Sequence, residues 1–372
     1  MADELRSGYT TGACAAAGVK AVLLYEAGLE WETVELTALD GTKLIIPVKA
    51  VRETEHGLEA EVVKFSGDDP DITNGVSVFT ALRHLPGAPE EIVFKAGKGI
   101  GRVTKPGLSV AVGEPSINPG PRQLIRQVIA ELLGSDKQPL EVTISIPAGV
   151  ELARQTLNPI LGVEGGLSVI GTTGVLRPMS EEGFKNSLVP QIDVALAAGF
   201  TDLIFVPGKI GERIAASWQL PHEAMVQTSN FIGFMLEAAA KRGVKRILLF
   251  GHIGKLVKVA AGVFYTHNRI ADARLETMAA YAAAAGLGSQ GVQQLLASNT
   301  TEDALAVLSA CNLRQTVCRR LAQQASCRVE RYLFQKVQVG TVLVSLKGEL
   351  LGMDDMAAKM GKAWGWEVQN GS

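Results

Sequence analysis

The spacing of apolar and polar positions changes character twice along the chain. Residues 12–24, "GACAAAGVKAVLL", are small or apolar almost throughout, and the run stops near Gly28. This predicts a helix. Thr10 or Thr11 can cap it, because a hydroxyl there accepts from a free N–H of the first turn. Over residues 32–64 the period becomes two. "ETVELTALDGTKLIIPV" predicts two strands around an Asp40–Gly41 turn, and "KAVRETEHGLEAEVVKF" predicts a second hairpin turning at His56–Gly57. "SGDDPDITNG" (66–75) is a loop, and a helix is expected to follow it to Arg83. "EIVFKAGKGIGRVT" predicts strand, glycine turn and strand, with the turn closing a hairpin. "NPGPRQLIRQVIAELLG" predicts a helix with Pro121 near its start and Gly134 just past its end, and "LEVTISIPAG" a further strand.

After about residue 150 the pattern changes again. "GGLSVIGTTGVLRPMSEEGFKNSLV", "GFTDLIFVPGKIGERIAASW" and "GVKRILLFGHIGKLVKVAAG" each predict strand, glycine loop and helix. Short continuous apolar strands alternating with helices imply a parallel sheet covered on both faces. Helices are expected at 271–285 and 302–330, then a final hairpin, "VQVGTVLVSLKGELLG", and a polar tail. The expected fold is therefore α/β and α+β. Residues 1–150 form a mixed α+β domain with antiparallel hairpins. Residues 151–335 form a Rossmann-like α/β domain with a mainly parallel sheet, and 336–372 the hairpin and tail. In an open α/β sheet, ligands bind beyond the carboxyl ends of the strands. That places "GTTG", "PGKIG" and "GHIG" together at one ligand edge.

Composition narrows the function classes. The chain has 372 residues, 47% of them hydrophobic, which suffices for more than one core. A net charge of −2 gives no global field to attract nucleic acid. No stretch reaches the roughly 18–20 apolar residues that span a bilayer. Residues 13–24 loosely resemble a signal-peptide core, but Lys20 interrupts them and Asp3 and Glu4 precede them. The expectation is a soluble, cytoplasmic protein without nucleic-acid or membrane partners. Cys14, Cys311, Cys318 and Cys327 make no C-x-x-C pair, so zinc is not expected. They read as buried small hydrophobes, with Cys311 and Cys318 on one helix face.

Candidate chemistry centres on the glycine loops. "LLFGHIGKLVKVAAG" has the look of a phosphate loop, yet G-x-x-x-x-G-K-[ST] fails twice, at Leu249 and at Leu256. What remains is a helix start with free N–H groups, suited to any anion, a carboxylate included. Asp68, Asp69 and Asp71 can take a cation, or else form a solvated turn or serve as partners for nearby arginines. His252 can serve as a base or a donor. In "YTHNRIADARLE", Arg269, Asp272 and Glu276 fall on one helix face. They form either a surface ion-pair network or an arginine cluster for a polycarboxylate.

Several motifs point to one family. "RSGYTTGACAAA", "SGDDPDITNG", "INPGPRQLI", "SVIGTTGVLRPMS", "VQTSNFIGFMLE" and "GHIGKLVKVAAGVFYTHNRIADARLE" together resemble the cobalt-precorrin-5B C1-methyltransferases of anaerobic cobalamin synthesis. The resemblance runs in order over nearly the whole chain. It implies that S-adenosylmethionine methylates ring carbon 1 of cobalt-precorrin-5B to give cobalt-precorrin-6A. The partner is then a tetrapyrrole that carries its own cobalt, and no protein metal site is required. A homo-oligomer stays open. On this view Gly171, Thr172, Thr173, Gly174, Gly208 and Gly211 are candidates for the donor site. Arg6, Thr10, Thr11, Arg177, Lys209, Gly251, Gly254, Lys255, Arg269 and Arg274 are candidates for binding the macrocycle, whose acetate and propionate groups need cations. His252, His267 and Asp272 are candidates for taking up the proton that leaves the ring. Two rival readings remain, a small-molecule phosphotransferase and a non-catalytic corrinoid-binding protein.

Overall fold

The structure is a computed structural model that describes residues 5–29, 31–87, 91–134, 138–178 and 180–365. Asp3, Glu4 and the polar tail from 366 lie outside the described residues. The chain forms two compact units that divide between Glu181 and Glu182. Residues 151–181 thus belong to the first unit rather than to the α/β domain expected from residue 151.

The first unit is mixed α+β. Its centre is the helix Thr11–Glu26, the run that resembled a signal-peptide core. Thr10 caps it by accepting from the Ala13 N–H at 3.2 Å. The helix is buried on nearly all sides through its first three turns, and its Ala and Gly content follows from that burial. At Gly18 a Cβ would stand 2.8 Å from Thr80 Cβ, so glycine lets the helix settle onto the sheet. That sheet has five strands in the order Ala50–Thr54, Gly57–Val63, Ser77–His84, Leu140–Ser145 and Ile92–Ala96. All its pairs are antiparallel except the last, which is parallel. The expected Asp40–Gly41 hairpin pairs Thr33–Thr37 with Lys43–Pro47. It alternates correctly, with Val34 and Leu36 buried.

Three expectations for this unit need correction. The segment before Arg83 is a strand, not a helix. Val78, Thr80 and Leu82 alternate inward, and strands flank it on both sides. The glycine turn at 95–102 does not close a hairpin. Ile92–Ala96 pairs with Leu140–Ser145, while Arg102–Val103 pairs with Val163–Glu164. Gly99 is there because a side chain would collide with the Ile146 carbonyl. Finally, "GTTG" follows no parallel strand. The residues before it make only isolated bridges, Leu167 to Ile100 and Val169 to Ile117.

The second unit holds a five-stranded sheet in the order Met225–Gln227, Asp202–Val206, Arg246–His252, Gln338–Val344 and Leu350–Met353. The first four strands are parallel and the last is antiparallel. The final hairpin is therefore part of this sheet. Ile247–Phe250 and Leu203–Val206 are fully buried, as continuous apolar strands require. The helix-rich segment contains four helices rather than two, Arg274–Ala283, Ser289–Leu296, Thr301–Ala310 and Arg314–Tyr332. A Thr300–Asp303 capping box starts the third, and Asn312, at φ +56°, separates the third from the fourth. Cys311 consequently caps the end of the third helix, while Cys318 lies on the fourth. Cys14 and Cys318 are buried, but Cys311 and Cys327 are exposed. Among the described residues, no helix is long and apolar enough to cross a membrane.

Candidate functional site

Strand order locates the site in the second unit. The strand Asp202–Val206 has Met225–Gln227 on one side and Arg246–His252 on the other. The connection after it runs to Met225–Gln227 on one side, and the next crosses over to Arg246–His252 on the other. A crevice therefore opens between the carboxyl ends of Asp202–Val206 and Arg246–His252. "PGKIG" follows the first of these strands and "GHIG" ends the second.

The glycines of these loops have different roles. At Gly251 a Cβ would stand 3.0 Å from Pro207 Cδ, and at Gly211 it would stand 3.2 Å from the Phe250 carbonyl oxygen. Both permit close packing. Gly254 lies under the His252 ring, where a Cβ would be 2.9 Å from Nδ1. Gly208 differs, with φ at +122° and only Lys255 Nζ, at 3.5 Å, near the place of a Cβ. It leaves backbone open beside an ammonium.

Lys255 lies in the first turn of the helix Ile253–Ala260, half-buried. None of the described hydrogen bonds or ion pairs involves its side chain. Burial, and then the nearby Lys258 ammonium, lower its pKa below the usual lysine value. Lys258, one turn on, is fully buried and fully satisfied. It donates to the Thr266 carbonyl at 3.2 Å, Asn268 Oδ1 at 2.6 Å and the Ala271 carbonyl at 2.9 Å. It fixes the loop that bears His267, Arg269 and Asp272. Sequence reasoning missed Lys258. The available signal was a lysine inside an apolar helical run, which must find acceptors if buried.

His252 caps the same helix. Its Nδ1 accepts from the Gly254 N–H at 3.1 Å, so the ring proton sits on Nε2 and points to Glu302 Oε1 at 3.0 Å. The Gly254 N–H expected to await an anion is thus occupied. Residues 265–273 are not helical, so Arg269, Asp272 and Glu276 share no helix face. Asp272 instead takes both Nε and Nη2 of Arg274, at 2.7 and 2.6 Å. Those hydrogen bonds hold its carboxyl below the usual range. His267 Nδ1 accepts from the Arg269 N–H at 3.2 Å, and its Nε2 has no partner among the described residues. Lys209 and Arg269 are exposed and likewise lack a carboxylate partner among the described residues.

The other candidates sit in the first unit. Arg6 is tied to Asp68 at 2.8 Å, and Arg177 reaches Asp40 at 3.4 Å. The acid-rich loop is thus partly an arginine partner, as expected. Asp71 pairs with the buried Lys64 at 2.7 Å. Among the described residues, no group of three His, Cys, Asp or Glu side chains could hold a metal ion. "GTTG" closes onto the start of the Thr11–Glu26 helix. The Thr10 N–H donates to the Gly174 carbonyl at 2.9 Å, and the Gly12 N–H to the Ile170 carbonyl at 3.0 Å. Thr11 Oγ1 accepts from the Ile170 N–H at 3.0 Å, and the Leu39 N–H donates to the Thr173 carbonyl at 2.8 Å. A side chain at Gly171 would collide with Thr10. Gly171, Thr172, Thr173 and Gly174 thus form a loop that caps this helix, not a loop at the parallel sheet's edge.

One further group stands out at that edge. Thr228 follows the strand Met225–Gln227, and its hydroxyl is buried without a partner among the described residues.

An open sheet with a topological switch point, an ammonium unpaired among the described residues and a glycine-bared backbone defines an α/β protein with a ligand site at its strand ends. The family model CbiD matches residues 1–178, and the model "CbiD, C-terminal domain" matches residues 265–355. The chain belongs to the CbiD family. It is 47% identical to the cobalt-precorrin-5B C(1)-methyltransferase of Moorella thermoacetica, over 99% of this chain and 100% of that one. It is 44% identical to the enzyme of the same name from Methanocaldococcus jannaschii, over 93% and 95% of the two chains. A crystal structure of the cobalamin biosynthesis protein cbiD from Archaeoglobus fulgidus is 24% identical and covers 72% of this chain and 83% of its own. Its TM-score is 0.39. At that score the likeness is too loose to carry an argument.

Proposed function

We propose that this chain methylates ring carbon 1 of cobalt-precorrin-5B, giving cobalt-precorrin-6A, with S-adenosylmethionine as donor, and does so in the cytoplasm. The shared name of its relatives supports the reaction. The observation that carries the site is Lys255, a half-buried ammonium without a partner among the described residues. An unpaired buried cation is costly, so such a group is best explained by an anion that arrives with the substrate. A corrin precursor brings several carboxylates. Lys209 and Arg269, also unpaired among the described residues, extend the same attraction.

The residues present also fit the donor. Gly208 leaves backbone open to close approach, and Thr228 holds a buried hydroxyl with no partner among the described residues. On this reading Gly208 and Thr228 hold the donor and Lys255 holds a substrate carboxylate. When bound, S-adenosylmethionine supplies a methyl carbon whose bond to sulfur breaks as the ring carbon bonds to it, leaving a neutral thioether. The chain's part is chiefly to orient and to exclude water. One proton must leave the macrocycle. His252 has both nitrogens engaged, and Asp272 is neutralised by Arg274. His267 likewise accepts at Nδ1, so its Nε2, without a partner among the described residues, carries the ring N–H; we assign it as a donor to a substrate carboxylate rather than as the base.

Calorimetry with S-adenosylmethionine and with ATP–Mg²⁺ tests this reading against a phosphotransferase. The first should bind and the second should not. A gain of one methyl group by the tetrapyrrole separates an enzyme from a corrinoid carrier. Binding of ATP–Mg²⁺ alone, or of the tetrapyrrole without methyl gain, would overturn it.

A further inference from the structure

Three aromatic rings gather at the carboxyl edge of the second unit's sheet. Phe231 follows Thr228, whose N–H donates to the Val206 carbonyl at 3.1 Å, so this segment is fastened to the strand end. Phe231 and Tyr265 pair as an isolated antiparallel bridge, and their ring centroids are 4.9 Å apart. Phe184, on the helix Glu181–Leu188, meets Phe231 edge-on at 5.7 Å. Phe231 is only 8% exposed and Phe184 is 50% exposed, so the rings form a cup with a buried floor and an open rim. A cation already sits in it. Lys185 Nζ lies 5.1 Å from the Phe231 centroid and 5.8 Å from that of Tyr265.

We propose that this cup is a seat for an onium cation, and that the sulfonium of the methyl donor displaces the Lys185 ammonium from it. The proposal rests on the donor assigned above. The negative faces of aromatic rings attract any cation, but not all cations give up the same amount on entering. An ammonium has three N–H donors and is strongly hydrated, so it loses water on moving over a ring. A sulfonium has no N–H to hydrate, which is why alkylated cations suit aromatic cups. Exchange therefore favours the donor. Lys185 can release because its charge rides on a flexible four-carbon stem. The product thioether is neutral and has no such attraction, so the seat also favours release after transfer.

Calorimetry separates the alternatives through a ratio. The wild type should bind S-adenosylmethionine roughly two- to thirty-fold more tightly than S-adenosylhomocysteine, the span expected of one cation–ring contact. Tyr265→Leu should bring that ratio towards one while leaving the thioether's affinity in place. Tyr265→Phe keeps the ring and should keep the ratio. Lys185→Met removes the competing cation and should tighten S-adenosylmethionine alone. An unchanged ratio in Tyr265→Leu, or weaker donor binding in Lys185→Met, would overturn the seat. Were neither ligand to bind the wild type, the donor assignment would fall. Trimethylsulfonium would still decide the seat, because its methyl proton signal should move upfield with the wild type and not with Tyr265→Leu. No such shift would overturn the seat independently.

Discussion

Replacing Lys255 by methionine should make the protein more stable and its substrate binding weaker. Stability and function oppose each other at this residue because its ammonium is half-buried and has no partner among the described residues. Methionine keeps the length of the side chain and removes the charge. Relief of an unsatisfied, partly buried charge is worth about 1 kcal/mol. For a unit of this size that is a rise of about 2–4 °C in Tm. Loss of a hydrogen bond to a charged group costs about 1.5–3 kcal/mol, a rise of roughly tenfold to 150-fold in substrate Kd. The pH dependence has a definite sign. The folded-state pKa of Lys255 lies below its ordinary 10.5. Between the two values the folded protein binds fewer protons than the unfolded one, so stability rises with pH across that window. A bound carboxylate restores the proton, so substrate affinity should fall as pH rises through the lowered value. The variant should lack both effects. Scanning calorimetry and anaerobic absorbance titration with cobalt-precorrin-5B read them. A variant that is less stable and binds substrate as tightly as the wild type would refute the assignment of Lys255 as an anion receptor.

Lys258→Met should act in the opposite way on stability, because it strands two carbonyls and Asn268 without their donor. A loss of about 3 kcal/mol in urea unfolding is expected, with faster amide exchange confined to residues 264–273. Thr10→Ala removes the cap of the central helix and should cost about 1 kcal/mol, while donor affinity measured by calorimetry stays unchanged. Burial opposes the charge of Asp71, but Lys64 and Thr73 outweigh it and hold its carboxyl below 3.8. Its contribution is therefore present above that value and lost as pH falls through the lower folded value. Asp71→Asn should lessen the drop in the urea midpoint between about pH 5 and pH 3.

Much of this fold was legible where the signal was local. The Asp40–Gly41 hairpin and the two units after residue 199 repeat their period within twenty residues, and each formed as expected. The failures share a cause. "GTTG" has the composition of a strand–helix loop, but its partners are Thr10, Gly12 and Leu39, more than 130 residues away. The glycines at 97–101 likewise answer to distant groups, the Ile146 carbonyl and the Val163 side chain. Strand Ser77–His84 is buried by neighbours on both sides, and its polar Thr80 blurs the alternation. In the site, Lys255 could be found from its glycine loop. The aromatic cup could not, because residues 184, 231 and 265 come from three separate segments that only tertiary structure assembles.

The central claim is methyl transfer to one ring carbon. The direct measurement is a single turnover of cobalt-precorrin-5B under anaerobic conditions, with S-adenosylmethionine labelled with ¹³C at the methyl group. The account predicts that one labelled methyl appears on the tetrapyrrole, that carbon NMR assigns it to ring carbon 1, and that S-adenosylhomocysteine forms in equal amount. A label that stays on the donor while both ligands bind, or one found on another atom of the ring, would contradict it.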